Sequence, residues 1–257
     1  MNVIVCVKQI PDPALPGELG GDHTLKRDGK LILDDSDSYG VEMGLQLVDS
    51  AGGGEVWLVS MAPGGEVSGL RTALAMGAAR AVLVSDEGLA GSDALTTAKV
   101  LAAVVGRLGG ADVVLAGTES SDGYTGTVPE QMAEVLGLPS VTFAKSVAVT
   151  DGVLRVNRQT EAGFDEVECP LPAVVSVTAG VVEPRYPSFK GIMAAKSKPL
   201  ETVTAEDLGV SPVGWAGAGQ EIVEVAEAPR REAGEIVVDE GEAHLKVVEF
   251  LEGLKVI

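Results

Sequence analysis

Residues Ala111–Leu136 read ADVVLAGTESSDGYTGTVPEQMAEVL. The apolar run Val113-Val114-Leu115-Ala116 stops at Gly117, and a stretch of glycine, serine, threonine, aspartate and glutamate follows. Apolar periodicity resumes at Val128, Met132, Val135 and Leu136. A short unbroken apolar run predicts a strand buried on both faces of a parallel sheet. The later spacing places its apolar side chains on one helical face. Buried strand, polar loop and amphipathic helix together form the repeating unit of α/β folds.

The same unit recurs upstream. Asn2–Val7 reads as a first buried strand, and Val41, Leu45 and Val48 recur at helical spacing until Gly52-Gly53-Gly54 ends that helix. Glu55–Met61 is the next strand, Val67, Leu70 and Leu74 a helix, and Ala81–Ser85 a strand. Leu101, Val104, Val105 and Leu108 mark a longer helix ahead of the opening stretch. This alternation predicts an α/β fold, with a mostly parallel sheet and helices on both faces.

From Pro139 the texture changes to short strands at Ser140–Thr150, Val153–Thr160, Glu166–Cys169 and Pro172–Thr178. Asp151-Gly152 is a hairpin signal between the first two. Lys8–Ser36, with Pro11, Pro13 and Pro16, shows no periodicity, and connections that long are usually functional or disordered. Beyond Glu183 regular periodicity fades until a short helix at Glu242–Leu254. Two regions follow: 1–200 as the α/β domain, and 201–257 as an acidic arm ending in a helix.

Composition narrows the function. The 257 residues include 33 glycines but only 4% aromatics, which suits closely packed α/β layers. A net charge of −19 disfavours a phosphate backbone as ligand, so no nucleic-acid partner is expected. Two isolated cysteines, Cys6 and Cys169, offer neither a disulfide framework nor a zinc site. The N-terminal apolar run is too short for a signal peptide, and no long apolar segment exists for membrane insertion. The expectation is a soluble, cytoplasmic protein.

The polar loop sits where α/β sheets bind ligands, beyond the carboxyl end of a strand. Gly117, Gly123 and Gly126 let backbone N–H groups approach a ligand, and Ser120, Ser121, Tyr124, Thr125 and Thr127 add hydroxyls. Thr127 and Glu130 have capping-box spacing, with Pro129 in the first turn. Free N–H groups at a helix start favour an anion, above all phosphate. Glycine, serine and aspartate also dominate ordinary loops, so composition alone leaves a plain connection equally open. Neither a Walker A sequence nor a dinucleotide fingerprint after the first strand is present.

No acid–base pair or nucleophilic triad emerges; His23 reads as a solvated loop residue and Cys6 as a buried strand residue. Asp34, Asp35 and Asp37 precede a helix and are expected to cap it and complement its dipole rather than bind metal. Within Arg185–Lys198, four basic residues and no acid surround apolar side chains, a basic island on an acidic protein. A binding protein is favoured over a hydrolase, with no catalytic residue assigned.

VCVKQIPD at Val5–Asp12, RTALAMGA at Arg71–Ala78, AGTESSDGYTGTVPEQMAEVLGLP at Ala116–Pro139 and EPRYPSFKGIMAAKSKP at Glu183–Pro199 occur in order along nearly the whole chain. Together they resemble the beta subunit of electron transfer flavoprotein. The resemblance implies a Rossmann-like adenine-nucleotide-binding core, structural AMP in the chain's own pocket, and an alpha subunit that holds most of an FAD. Carried over by position, the AMP pocket comprises Cys6, Asp34, Asp35, Ser36, Asp37 and Met61. It also includes Gly117, Thr118, Glu119, Ser120, Ser121, Asp122, Gly123, Tyr124, Thr125, Gly126, Thr127 and Val128.

Residues 183–199 match the family's recognition loop for acyl-CoA dehydrogenases and similar flavin dehydrogenases. Glu183, Arg185, Tyr186, Phe189, Lys190, Ile192, Met193 and Lys196 would meet that partner, with Phe189 as the apolar anchor. Electrons would pass on to a quinone oxidoreductase-type acceptor, as in fatty acid oxidation, and the arm would contact the alpha subunit. Two departures stand out. Gly126-Thr127-Val128-Pro129 lacks the side-chain amide common in the phosphate loop, and Gln159 replaces the glutamate usual after Arg158. An alternative within the family puts a second FAD in the AMP site of an electron-bifurcating complex. A stand-alone nucleotide-binding stress or signalling protein is the rival from another class.

Overall fold

The computed structural model describes residues 1–226, 229, 234 and 236–257. Strands are β1 (Asn2–Cys6), β2 (Gln9–Pro11), β3 (Leu31–Leu33), β4 (Glu55–Ala62), β5 (Arg80–Ser85), β6 (Val113–Gly117), β7 (Ser140–Thr150), β8 (Val153–Thr160), β9 (Gly163–Pro170), β10 (Ala173–Val177) and β11 (Leu200–Val203). Helices are α1 (Asp35–Ser50), α2 (Ser68–Met76), α3 (Ala94–Arg107), α4 (Val128–Leu136), α5 (Phe189–Ala195) and α6 (Ala243–Gly253).

One sheet has the order β11-β5-β4-β1-β6-β10-β7-β8-β9, parallel from β11 across to β7. The central strands are apolar on both faces because helices cover both. On one face Val3 and Val5 of β1 pack with Val41 and Leu47 of α1 and Leu70 and Leu74 of α2. On the other, Ile4 and Cys6 pack with Leu101 and Val104 of α3 and Met132 of α4. This alternation along β1 follows from the two-residue period of a strand.

Successive strands run outward from β1 through β4 to β5, and the chain then crosses back to place β6 on β1's other side. The order therefore reverses between β1 and β6. At such a switch point the two following loops diverge and leave a crevice at the strands' carboxyl ends.

The expected strand–helix alternation and the hairpin at Asp151-Gly152 are present, the latter with φ of 53° and 77°. That hairpin begins an antiparallel extension, β7-β8-β9. Four elements arise where no regular structure was expected. β2 and β3 pair antiparallel inside the Lys8–Ser36 stretch. α5 and β11 lie in the region after Glu183, where β11 joins the sheet by pairing with β5.

That pairing, and the bonds from Gly214 N–H to Ser92 Oγ and from Gly219 N–H to Asp93, carry the first compact unit to Glu221 rather than to residue 200. The second unit is Ile222–Ile257, whose α6 exposes Leu245, Val247, Val248 and Phe250. Part of the expected arm lies outside the described residues. Among the described residues, no helix is long and apolar enough to cross a membrane.

Candidate functional site

The loops after β1 and β6 and the start of α1 meet at the switch point. Asp34 is the N-cap of α1; its carboxylate accepts Ser36 N–H at 3.1 Å and Ser36 Oγ–H at 2.7 Å, as expected for a cap. The same fully buried carboxylate accepts Ser121 N–H at 2.8 Å, so one side chain holds both a helix start and the β6 loop. Asp35 lies exposed in the first turn. Asp37 turns inward and accepts Lys8 N–H at 2.6 Å. Burial pushes its carboxyl up to about 8; the Lys8 N–H works against this and the nearby Asp34 charge adds to it.

Two cations converge on the loop. Lys8 Nζ donates to Ser120 Oγ at 3.1 Å and Asp122 Oδ1 at 2.7 Å, and Arg27 pairs with the other Asp122 oxygen. Burial disfavours the Asp122 charge, but Lys8 and Arg27 outweigh it and hold the carboxyl below its ordinary range. These two cations both answer Asp122, while the Glu119 carboxylate lies beside Gly126 at the start of the next helix. The loop sequence contains no hint of these partners. Lys8 is visible only as the residue after β1, and Arg27 comes from the aperiodic stretch.

The start of α4 differs from expectation. Thr127 (φ −129°, ψ −4°) is not extended and its side chain makes no capping bond, so the capping box with Glu130 does not form. Instead Thr127 Oγ1 accepts Gln131 Nε2 at 3.4 Å. The backbone N–H groups of Gly126, Thr127, Val128 and Glu130 have no acceptor among the described residues. Buried Glu130 Oε2 and Gln131 Oε1 also lack partners there. The unused N–H groups at this helix start suit an anion such as phosphate, whereas Glu130 Oε2 and Gln131 Oε1 are acceptors and add nothing to it. Gly126 takes φ 66°, and Tyr124 takes φ 50° with its N–H on Ser120 O, which gives the loop its tight path.

Cys6 and Met61 lie deeper, in the apolar layer beneath α3 and α4, with Cys6 Sγ 3.8 Å from Met132 Sδ. Burial pushes the Cys6 thiol up to about 12, with the nearby Asp37 adding to it. Thr118 donates to Val177 O at 3.2 Å through its hydroxyl, tying the loop to β10. Gly123 and Thr125 are exposed.

A cleft of about 780 Å³ opens on the loop's outer side. Ser36, Thr118, Glu119, Ser121 and Tyr124 form one wall, and Phe143, Arg158–Glu161 and Val177–Ala179 the other. The second wall comes from the antiparallel extension and from the end of β10; of its residues only Arg158 and Gln159 carried a signal, through the family resemblance.

Away from this crevice, the basic island folds as the α5 helix and its flanks. Glu183, Arg185, Tyr186, Phe189, Lys190, Ile192, Met193 and Lys196 are all exposed, Phe189 at 81%. Phe189 therefore does not pack internally. Arg185 is engaged within the chain, with Nε 2.6 Å from the buried Glu42.

A family model described as the electron transfer flavoprotein domain matches residues 22–208. Electron transfer flavoprotein subunit beta of Mycobacterium tuberculosis is 40% identical over 264 aligned positions, covering 100% of this chain and 99% of that one. The corresponding subunit of Megasphaera elsdenii is 32% identical, covering 100% of both chains. Caffeyl-CoA reductase-Etf complex subunit CarD of Acetobacterium woodii is 33% identical over 92% of each. With the domain model spanning most of the sheet and relatives aligned end to end, the chain belongs to the electron transfer flavoprotein family, among its beta subunits.

Proposed function

We propose that this beta subunit holds one AMP at the switch point and pairs with an alpha subunit that carries most of an FAD. In this reading the chain catalyses no reaction alone; the FAD, when bound, supplies the electron-carrying chemistry. The unfilled N–H groups at the start of α4 carry the proposal, because free donors at a helix N-terminus favour a phosphate. Asp34 and Asp37 hold the loop that presents those donors. Cys6 and Met61 furnish the apolar floor for adenine, and flanking backbone groups read its edge.

The exposed α5 face, with Phe189 at its start and Lys190 and Lys196 beside it, fits docking to an acyl-CoA dehydrogenase or a similar flavin dehydrogenase. Delivery to a quinone oxidoreductase-type acceptor completes the role. The exposed apolar residues of α6 fit contact with the alpha subunit.

A second reading keeps the family and puts another FAD in the AMP site, as in bifurcating complexes. The cleft of about 780 Å³ beside the phosphate loop favours it, since a flavin needs room beyond the phosphate.

The test is to co-express the chain with its alpha subunit, denature the purified complex and quantify the released nucleotides. One AMP and one FAD per complex is expected under the first reading; two FAD and no AMP select the second. Thr127→Glu places a carboxylate at the donor cluster and should expel the beta-site nucleotide by charge repulsion. Undiminished nucleotide in that variant rules out the α4 cradle.

A further inference from the structure

We propose that Arg71 of α2 and Lys198 are positioning residues that hold α5 in place by exchanging cations across the two helices' carbonyl ends, so that the docking face is presented preformed. The proposal rests on the docking reading of residues 183–199.

Helix α5 should not persist by itself. It has seven residues, well short of what stabilises an isolated helix. Its large apolar side chains, Phe189, Ile192 and Met193, point outward together with Tyr186 just before it. Only Ala195 of the helix is buried. The usual source of helix stability, an apolar face turned into the core, is therefore nearly absent.

Directed bonds take its place. Arg71 Nη1 donates to Ala195 O at 2.7 Å and to Lys198 O at 2.9 Å. In return Lys198 Nζ donates to Leu74 O at 2.9 Å and Ala78 O at 2.6 Å, at the end of α2 and just beyond it. Carbonyls at a helix end carry the negative end of the dipole, so each cation is favourably placed at the end of the other helix.

At the other end of α5, Ser188 Oγ accepts Gly191 N–H at 3.0 Å. Gly191 itself touches Ala75 O so closely that no Cβ fits between the helices. Arg185, bound to buried Glu42, fixes the entry to the segment. Both ends are thus tied to the body while the apolar face remains free. Preformed presentation reduces the ordering cost that a flexible segment meets on binding.

The experiment uses the complex with the alpha subunit and follows its reduction by a purified acyl-CoA dehydrogenase and its acyl-CoA, with the flavoprotein as varied substrate. Arg71→Met and, independently, Lys198→Met should raise the KM for the flavoprotein about tenfold, with kcat and flavin content unchanged. Amide hydrogen exchange across residues 192–198 should quicken at least ~10-fold while the central strands stay protected. Arg71→Lys, which keeps the charge and a terminal N–H donor on a shorter reach, should restore part of the protection. Phe189→Ala is the control, raising KM without altering exchange.

Normal exchange and normal KM in both methionine variants overturn the proposal. Faster exchange with unchanged KM, while Phe189→Ala still raises KM, overturns the positioning role and leaves a structural tie. An unchanged KM in Phe189→Ala identifies the docking reading itself as the failure.

Discussion

The carboxylate of Asp34 accepts the Ser121 N–H at 2.8 Å across a separation of 87 residues, while its other oxygen caps α1 at Ser36. The helix start and the candidate phosphate loop are therefore one hydrogen-bonded unit. Asp34→Ala removes the cap and leaves partly buried N–H groups without an acceptor. A loss of roughly 2–4 kcal/mol is expected from those two effects. Asp34→Asn, which keeps one good acceptor, should lose less. Urea unfolding measures this as a fall in the midpoint at constant m-value. An unmoved midpoint in Asp34→Ala would show that the link contributes nothing.

Gly69, in the first turn of α2, sits against the β2–β3 ribbon. A Cβ there would lie 2.8 Å from both Gln9 Cγ and the Leu33 nitrogen. Gln9 cannot easily retreat, since it donates to Glu66 O at 2.6 Å and accepts Gly69 N–H at 2.8 Å. Gly69→Ala should destabilise by about 1–3 kcal/mol despite alanine's better helix propensity. Gly106→Ala in α3, where nothing lies within 4 Å, should stabilise by about 0.5–1 kcal/mol. Equal effects in the two variants would contradict the steric reading.

The sheet and its helices were legible because their signals are local: an apolar run for β6, a helical stripe for α4, a left-handed turn at Asp151-Gly152. The β2–β3 ribbon was not, since three residues per strand set no period and Gln9 pairs with Leu33 across an aperiodic loop. Helix α5 was hidden for a different reason: its apolar residues face solvent and its stability comes from Arg71 and Lys198, a tertiary arrangement. At the site, glycines and hydroxyls announced the loop, but Lys8, Arg27 and Phe143 arrive from other elements. The capping box failed because spacing states what Thr127 could do, whereas its backbone angles decide what it does.

Cys6 stands beneath the crevice with a thiol that burial pushes up to about 12. The reactive thiolate is therefore nearly absent at neutral pH, and the residue is 7% exposed. Iodoacetamide should label Cys6 at pH 7.5 only as fast as the fold opens, and rapidly in denaturant. Peptide mass spectrometry over a time course reads both rates. Fast labelling of the folded protein would place Cys6 at an open surface, inconsistent with its contact to Met132.

Asp37 makes the sharpest prediction about pH. Its carboxyl, with an ordinary value of 3.8, rises to about 8, first because it is buried, with the Asp34 charge adding to the shift. Between those values the folded chain keeps a proton that the unfolded chain releases. Unfolding free energy must then fall as pH rises from about 4 to about 8, and this contribution is spent above that range. The steepest slope is about 1.4 kcal/mol per pH unit for one proton. Asp122 and Glu42, both held below their ordinary range, titrate at lower pH and leave the window from 5 to 8 clear of their effects. Asp37→Asn retains an oxygen for the Lys8 N–H but has no proton to lose. Urea midpoints measured from pH 5 to 8 should decline in the native chain and decline less in the variant. Parallel curves for the two proteins would mean that Asp37 is charged throughout, and that Lys8 N–H and its surroundings compensate a buried carboxylate fully.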